Sequence, residues 1–466
     1  MALRLAAILV ALVALPTLAQ TLPPEVSAAL KAAQIPPAAV AVVVQPVDAR
    51  APLVTHNAGQ AMNPASVMKL VTTYAALDLL GPAYTWATDA LVDAPPAGGR
   101  LAGNLYLKGG GDPKFAIEHF WALLRQLRQR GVQQIAGDLV LDRGVFNVPA
   151  IDPGAFDDKP MRPYNVGPDG LLINFRALRF TLLPEDGRVR LIQETPSEGL
   201  RLDNQLRLTA GDCGNDWKDR MSIRLLPEAG GNRLEFTGSF AVLCGEKSLS
   251  LSPMAADAQV DGLFRSLWKE LGGTLAGQVR SGTAPTAALL LARQESATLA
   301  EAVRDINKFS NNVMARQVYL TLGNGNAPAT AEQARQRIVD WLSRRGLTFP
   351  ELQLENGSGL SRRERISAAS LNRLLLDAWK SPVMPELVSS LPLVGIDGTM
   401  KKRLKGSEIS GRAHIKTGSL EGVKTAAGYA LDRQGRQYAV TFLINHPRAQ
   451  SGQAAIDALL LWVAQQ

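Results

Sequence analysis

Hydrophobic positions fall into three regimes along this chain, and their periods predict most of its elements. Residues 39–44 (Ala39-Val40-Ala41-Val42-Val43-Val44) are a nearly pure β-branched run. Asp48-Ala49-Arg50 reads as a turn and Leu53-Val54-Thr55 as a returning strand, so residues 38–55 are expected to form a hairpin. After Pro64 the period changes. Val67, Leu70, Val71, Tyr74, Leu77 and Leu80 recur at helical spacing until Gly81-Pro82 stops them. The far end has the same character. Residues 299–322, 331–342 and 367–379 carry helical periodicity, and residues 414–417, 426–431 and 438–445 read as strands. The last two strands flank a turn at Asp432-Arg433-Gln434-Gly435-Arg436, and residues 454–463 close as an amphipathic helix. Strands from both ends with helices between them predict an α/β (α+β) domain, an antiparallel sheet covered by helices.

Between these halves, over residues 88–285, the pattern breaks into short alternating strands such as Leu139-Val140-Leu141, punctuated by Pro95-Pro96, Gly109-Gly110-Gly111 and Gly230-Gly231. Helical spacing survives only at residues 117–129 and 260–271. The expected organisation is therefore one domain formed by residues 20–87 and 286–466, with a β-rich inserted region, most simply two nested domains, at 88–285.

The third regime is the start. Arg4 precedes an apolar stretch over residues 5–15, Pro16 breaks it, and Thr17-Leu18-Ala19 offers small side chains for a signal peptidase. Residues 1–19 thus read as a cleaved signal peptide, with an uncleaved anchor as the alternative. The stretch is shorter than the ~20 apolar residues that span a bilayer, and no later segment reaches that length, so a soluble exported protein with at most loose membrane association is expected. Export changes how the two cysteines read. An oxidising compartment favours a disulfide between Cys213 and Cys244, of about 3–4 kcal/mol in the loop-entropy account, against the alternative of two separate buried thiols. Two cysteines and four scattered histidines supply no metal-site spacing, and no cofactor motif is present. The formal charge of +8 suits an anionic setting, but no Lys/Arg run with interleaved aromatics favours nucleic acid.

Three short elements carry chemistry. Ser66-Val67-Met68-Lys69 opens a helix, where residues three apart share a flank, so the Lys69 amine comes within reach of the Ser66 hydroxyl. Ser310-Asn311-Asn312 lies inside the helical stretch 299–322, where polar helix-breakers are costly unless they face something polar. Lys416-Thr417-Gly418 lies on a strand, with Gly418 removing a side chain where a substrate would lie. Singly these are weak. Ser266-Leu267-Trp268-Lys269 also fits the first pattern, yet Val260, Leu263, Phe264, Leu267 and Leu271 make the apolar face there and leave Ser266 and Lys269 solvated; Ser370-Leu371-Asn372 is a second Ser-x-Asn. The alternative for Ser66 alone is a plain helix cap. The ordered trio is far more specific than its parts.

In that order, Ser66-x-x-Lys69, Ser310-x-Asn312 and Lys416-Thr417-Gly418 resemble the three motifs of penicillin-binding proteins and serine β-lactamases. The long interval from Lys69 to Ser310 resembles the class C low-molecular-mass penicillin-binding proteins of the penicillin-binding protein 4 type, the D-Ala-D-Ala carboxypeptidase/endopeptidase family S13. Gly110-Gly111-Asp112-Pro113, Gly137-Asp138-Leu139-Val140, Gly357-Ser358-Gly359-Leu360-Ser361-Arg362 and Gly395-Ile396-Asp397-Gly398-Thr399 extend the resemblance along most of the chain. Asn356 and Arg316 depart from it, since an acid is expected at each.

The resemblance implies a penicillin-binding/β-lactamase-like transpeptidase fold and acyl transfer. Ser66 would attack the carbonyl between two D-alanines with Lys69 as base, and Ser310 would relay a proton to the leaving amine. Asn312 would hold the lysine and the substrate amide. Lys416, Thr417 and Ser419 would bind the terminal carboxylate, and backbone N–H groups of Ser66 and Ser419 would form the oxyanion hole. Peptidoglycan peptides are the implied partners, β-lactams the implied covalent inhibitors, and the periplasm the implied location. Two rivals remain. A β-lactamase would need rapid deacylation, for which Glu355 and Glu364 lie in the right interval. A catalytically idle envelope protein would only hold peptidoglycan peptides. A histidine-based hydrolase is disfavoured, because His56, His119, His414 and His446 sit in no nucleophile-elbow context.

Overall fold

The computed structural model describes residues 22–325 and 328–466. The signal peptide expected at residues 1–19 lies outside the described residues. A five-stranded antiparallel sheet joins the two ends of the chain. Its strands are β1 (Val40–Pro46), β2 (Val54–His56), β3 (Ala413–Leu420), β4 (Val423–Leu431) and β5 (Gln437–Asn445), in spatial order β3-β4-β5-β1-β2. Val42 lies opposite Phe442, which lies opposite Ala426, which lies opposite Thr417, so the register runs across the sheet without a break.

Helices cover both faces, which explains the unalternating apolar run of β1. Ala41 and Val43 enter one core with Tyr74, Tyr429 and Leu443, while Val40, Val42 and Val44 enter the other with Leu30, Phe442 and Leu459. On the first face lies α1 (Lys69–Leu80), preceded by a 3-10 turn over Ala65–Met68. From Lys69 to Leu77 every residue of α1 is buried, as expected for a helix at the centre of a domain rather than at its surface. Beside it run α2 (Leu299–Phe309) and α3 (Asn312–Leu322).

The chain leaves this domain into a mixed sheet in which Leu139–Asp142 and Leu105–Gly109 pair in parallel and Ala87–Val92 pairs antiparallel with Leu289–Glu295. That last strand lies beyond the 88–285 interval. Helices Ile117–Gln129 and Ala256–Glu270 pack on this sheet around Phe120, Leu124, Phe264 and Trp268. A further all-β unit, from Leu178–Glu185 to Lys247–Leu251, has its own core of Phe180, Leu234, Phe236 and Phe240. Within it Cys213 and Cys244 are joined as a disulfide, their Cα atoms 4.4 Å apart.

Candidate active site

Ser66 does not cap a helix; it sits inside the 3-10 turn that leads into α1. The turn is held from three sides. Asn63 Oδ1 accepts from the Ala65 N–H at 2.9 Å, Asn63 Nδ2 donates to Ser361 O at 2.9 Å, and Thr425 Oγ1 donates to Pro64 O at 2.8 Å. Ala65, immediately before Ser66, has φ of 47°, a conformation that L-residues other than glycine populate only where the surroundings enforce it.

Tight packing around that turn depends on two glycines. A Cβ on Gly359 would lie 1.9 Å from Ala65 O, and one on Gly418 would lie 2.2 Å from Thr425 Oγ1 and 2.9 Å from Ser66 N. The missing side chain of Gly418, which is buried, also clears room for the Ser66 turn and Thr425 within the protein.

Ser310-Asn311-Asn312 also departs from expectation. Residues 299–322 are not one helix: α2 ends at Phe309, Ser310 adopts the left-handed conformation (φ 56°, ψ 41°), and Asn311 caps α3 by accepting from the Met314 N–H at 3.1 Å. Serine and asparagine compete with the helical ladder through their own side chains, and here they win. The apolar spacing continues through the break, so periodicity alone hides it.

Lys69 Nζ is fully buried. It stands 2.9 Å from Ser66 Oγ, donates to Asn312 Oδ1 at 2.6 Å, and also donates to the Ser358 carbonyl. Two of these partners are pure acceptors, whereas a hydroxyl both donates and accepts. A neutral amine has two hydrogens and one lone pair. With the hydrogens committed to Asn312 and Ser358, the lone pair is left for Ser66 O–H.

The electrostatics favour that neutral form. Burial drives the Lys69 pKa well below its usual 10.5, and Lys416 and Arg316 push the same way against the opposing charge of Glu364. Lys416, equally buried, is brought down to about 7 by desolvation. Its amine lies 2.9 Å from Ser310 Oγ and donates to Thr417 O at 2.7 Å. The structure thus gathers Ser66, Lys69 and Asn312 into one cluster and Ser310 and Lys416 into a second. Thr417 and Ser419 make other contacts. Thr417 Oγ1 lies 2.8 Å from Thr399 Oγ1, and Ser419 Oγ donates to Gln450 Oε1 at 3.0 Å.

Several contributors take roles that the sequence did not assign them. Ser358, which orients Lys69 through its carbonyl, lies in the Gly357-Ser358-Gly359 loop. That loop is folded around Glu364, whose buried carboxylate accepts from the N–H groups of Glu355, Asn356, Gly357 and Gly359 at 2.9–3.2 Å. Burial raises the Glu364 pKa, and the four N–H groups oppose this by favouring the anion. Asn356, where an acid was expected, accepts from the Ser358 N–H and Oγ and donates to Leu360 O. Arg316, the other departure, is buried one turn along α3 from Asn312 and donates to Val166 O at 3.0 Å. The sequence signals for this group were the glycine-rich run, the two departures at Asn356 and Arg316, and the position of Glu364 between the second and third motifs. A cavity of about 530 Å³ opens beside the same loop, walled by Phe156, Arg316, Tyr319, Leu360 and Arg362.

The look-alike motifs do other work. Lys269 is exposed on the helix Ala256–Glu270, while Ser370 Oγ donates to Glu351 and Asn372 Nδ2 to Ala439 O. Among the described residues no group of three or more His, Cys, Asp and Glu is placed to hold a metal ion, and no helix is long and apolar enough to cross a membrane.

Comparison with known proteins places the chain in context. A family model described as "D-Ala-D-Ala carboxypeptidase 3 (S13) family" matches residues 22–466. A D-alanyl-D-alanine carboxypeptidase of Actinomadura sp. (strain R39) is 27% identical over 89% of this chain and 79% of its own length. The D-alanyl-D-alanine carboxypeptidase DacB of Haemophilus influenzae is 24% identical over 84% and 82%. In three dimensions, the crystal structure of penicillin-binding protein 4 from H. influenzae superposes with a TM-score of 0.76 at 23% identity, over 93% of this chain and 99% of that one.

Proposed function

The chain belongs to the D-Ala-D-Ala carboxypeptidase 3 (S13) family and is a serine-type D-Ala-D-Ala carboxypeptidase, and we propose that Ser66 carries the reaction with Lys69 as its base. The observation that carries the assignment is the three-way setting of Lys69 Nζ: two pure acceptors fix its hydrogens, and the third neighbour, 2.9 Å away, is the Ser66 hydroxyl. Ser66 Oγ attacks the carbonyl between the two D-alanines as its proton passes to Lys69. Collapse of the tetrahedral adduct breaks the C–N bond, and the leaving amine takes a proton through Ser310, whose hydroxyl is held by Lys416. Water then resolves the acyl-enzyme.

Backbone N–H groups of Ser66 and Ser419 are the proposed oxyanion donors, and Lys416, Thr417 and Ser419 the proposed site for the terminal carboxylate. Substrate adds along β3, the edge strand of the sheet, by strand pairing. The rest of the stem peptide reaches toward the cavity beside Leu360 and Arg362. Peptidoglycan peptides, both pentapeptide ends and D-Ala cross-links, are the proposed substrates, and the periplasm is the proposed location. β-Lactams, which mimic the D-Ala-D-Ala end, are expected to acylate the same serine.

A glutamate-driven β-lactamase finds little support. Glu364 is committed to four loop N–H groups, and Glu355 accepts from Ser361 Oγ at 2.5 Å. The test is incubation of the protein, beside Ser66→Ala, with pentapeptide-containing cross-linked peptidoglycan, read by mass. Loss of one alanine, absent in the variant, is expected. Intact substrate with both proteins refutes the assignment and favours a binding role. A penicillin adduct that clears within seconds would favour a β-lactamase.

A further inference from the structure

Phe309 and Ile396 are large apolar side chains left 64% and 52% exposed, although each adjoins a residue locked into the site. Phe309 ends α2 and directly precedes Ser310, whose Oγ receives the Lys416 amine. Ile396 precedes Asp397, and Thr399, three residues on, meets Thr417. The two loops are tied to one another. Lys308 Nζ pairs with Asp397 at 2.7 Å, and Gly398, at φ +55°, approaches so closely that a Cβ there would lie 2.5 Å from Lys308 O. One exposed apolar residue therefore adjoins each partner of an ion pair whose lysine is buried and whose carboxylate is partly exposed. The other exposed large apolar side chains lie on other elements: Ile151 in the wall of the cavity beside Leu360 and Arg362, Tyr164 in a short 3-10 turn, Val242 and Leu243 in the all-β unit, and Leu289 and Leu290 on the edge strand of the inserted sheet.

The reaction gives this position a meaning, and the inference rests on the reading of Ser66 and Ser310 above. The leaving amine departs beside Ser310, the residue that follows Phe309 in the chain. In a pentapeptide that amine belongs to D-alanine, which offers only a methyl group and a carboxylate. In a D-Ala cross-link it belongs to the diamino acid of a neighbouring stem peptide, whose amine-bearing carbon carries an aliphatic arm instead of the methyl. Those methylenes are the difference nearest the bond that breaks, and apolar surface on the leaving-group side would favour the substrate that carries them.

We infer that Phe309 and Ile396 form an apolar ledge that receives the aliphatic arm of the leaving diamino acid, and so set the preference for cross-links over free pentapeptide ends. The bonds made and broken are the same for both substrates; only binding on the leaving side differs.

The experiment compares kcat/KM for a purified cross-linked muropeptide dimer with kcat/KM for the pentapeptide monomer. It uses the wild type, Phe309→Ser, Ile396→Ser and, as a remote control of the same kind, Leu243→Ser. The ledge variants are expected to lower the dimer-to-monomer ratio by about fivefold to tenfold, mainly through KM, the low end for methylenes on an open surface. Leu243→Ser is expected to leave the ratio unchanged. An unchanged ratio in the ledge variants, whether both substrates suffer equally or neither does, overturns the inference. A wild type that releases D-alanine yet leaves dimers intact also overturns it while the assignment of Ser66 stands. A wild type inert toward both substrates overturns that assignment itself.

Discussion

Lys416→Met separates what the buried amine does for catalysis from what it costs the fold. Met matches its length without the charge. The Lys416 amine is buried completely and its pKa falls from 10.5 to about 7, with desolvation as the cause. At ~1.4 kcal/mol for each pH unit, the displacement is worth about 5 kcal/mol. Its sign follows from proton uptake. Between pH 7 and 10.5 the unfolded chain binds the proton that the folded chain refuses, so this lysine destabilises the fold fully below pH 7 and ceases to do so as pH approaches 10.5. Against relief of that cost, the variant loses the amine's bonds to Ser310 Oγ and Thr417 O, at about 1 kcal/mol each. The net expectation is a variant about 3 kcal/mol more stable than wild type at pH 6 and about 1 kcal/mol less stable at pH 10, with penicillin acylation severely slowed at both. Urea unfolding of the two proteins at each pH, followed by tryptophan fluorescence, measures the difference. A variant destabilised equally at pH 6 and pH 10 would refute the reasoning, because desolvation of the ammonium would then not be what lowers the pKa.

Other perturbations probe different parts. Arg316→Gln removes a cation that helps depress Lys69; the Lys69 pKa then rises, and the acid limb of the pH–rate profile for penicillin acylation is expected to move to higher pH, with Arg316→Lys restoring most of the wild-type profile. Gly418→Ala drives a methyl group toward Thr425 Oγ1 and Ser66 N, and acylation measured with a fluorescent penicillin is expected to fall at least about a hundredfold, as misplacement of a reacting group by an ångström does. Cys213→Ser with Cys244→Ser is expected to cost the all-β unit about 3–4 kcal/mol, read as earlier proteolysis of residues 178–251, while penicillin acylation at low temperature stays at the wild-type rate.

Much of this protein was legible in its residues because local chemistry carries its own signature. The β-branched run of residues 39–44 required a strand, the spacing from Val67 to Leu80 required a helix, and the C-terminal strands alternated with turn residues at the expected places. The ordered trio of motifs named Ser66, Lys69, Ser310, Asn312, Lys416 and Thr417 as candidates, and the spacing of three brings Ser66, in the 3-10 turn, to the amine of Lys69 at the start of α1. Other features depend on what lies opposite in space. Periodicity ran through Ser310 without marking the left-handed break, because α2 and α3 pack on the same core from either side of it. Gly418 read as a gap for substrate, and only the fold shows Thr425 and the Ser66 turn packed against it as well. Ser358 gave no chemical pattern of its own, and Glu364 read as a candidate for deacylation rather than as the anchor of a loop. A backbone carbonyl carries no residue identity, and four N–H groups converge on one carboxylate only once the loop is folded. Sequence thus determined which reactive groups the protein owns and the local elements that carry them. Tertiary structure alone lowered the Lys69 pKa and aimed its amine, because burial beside Lys416 and the two acceptors that claim its hydrogens come from segments far apart in the chain.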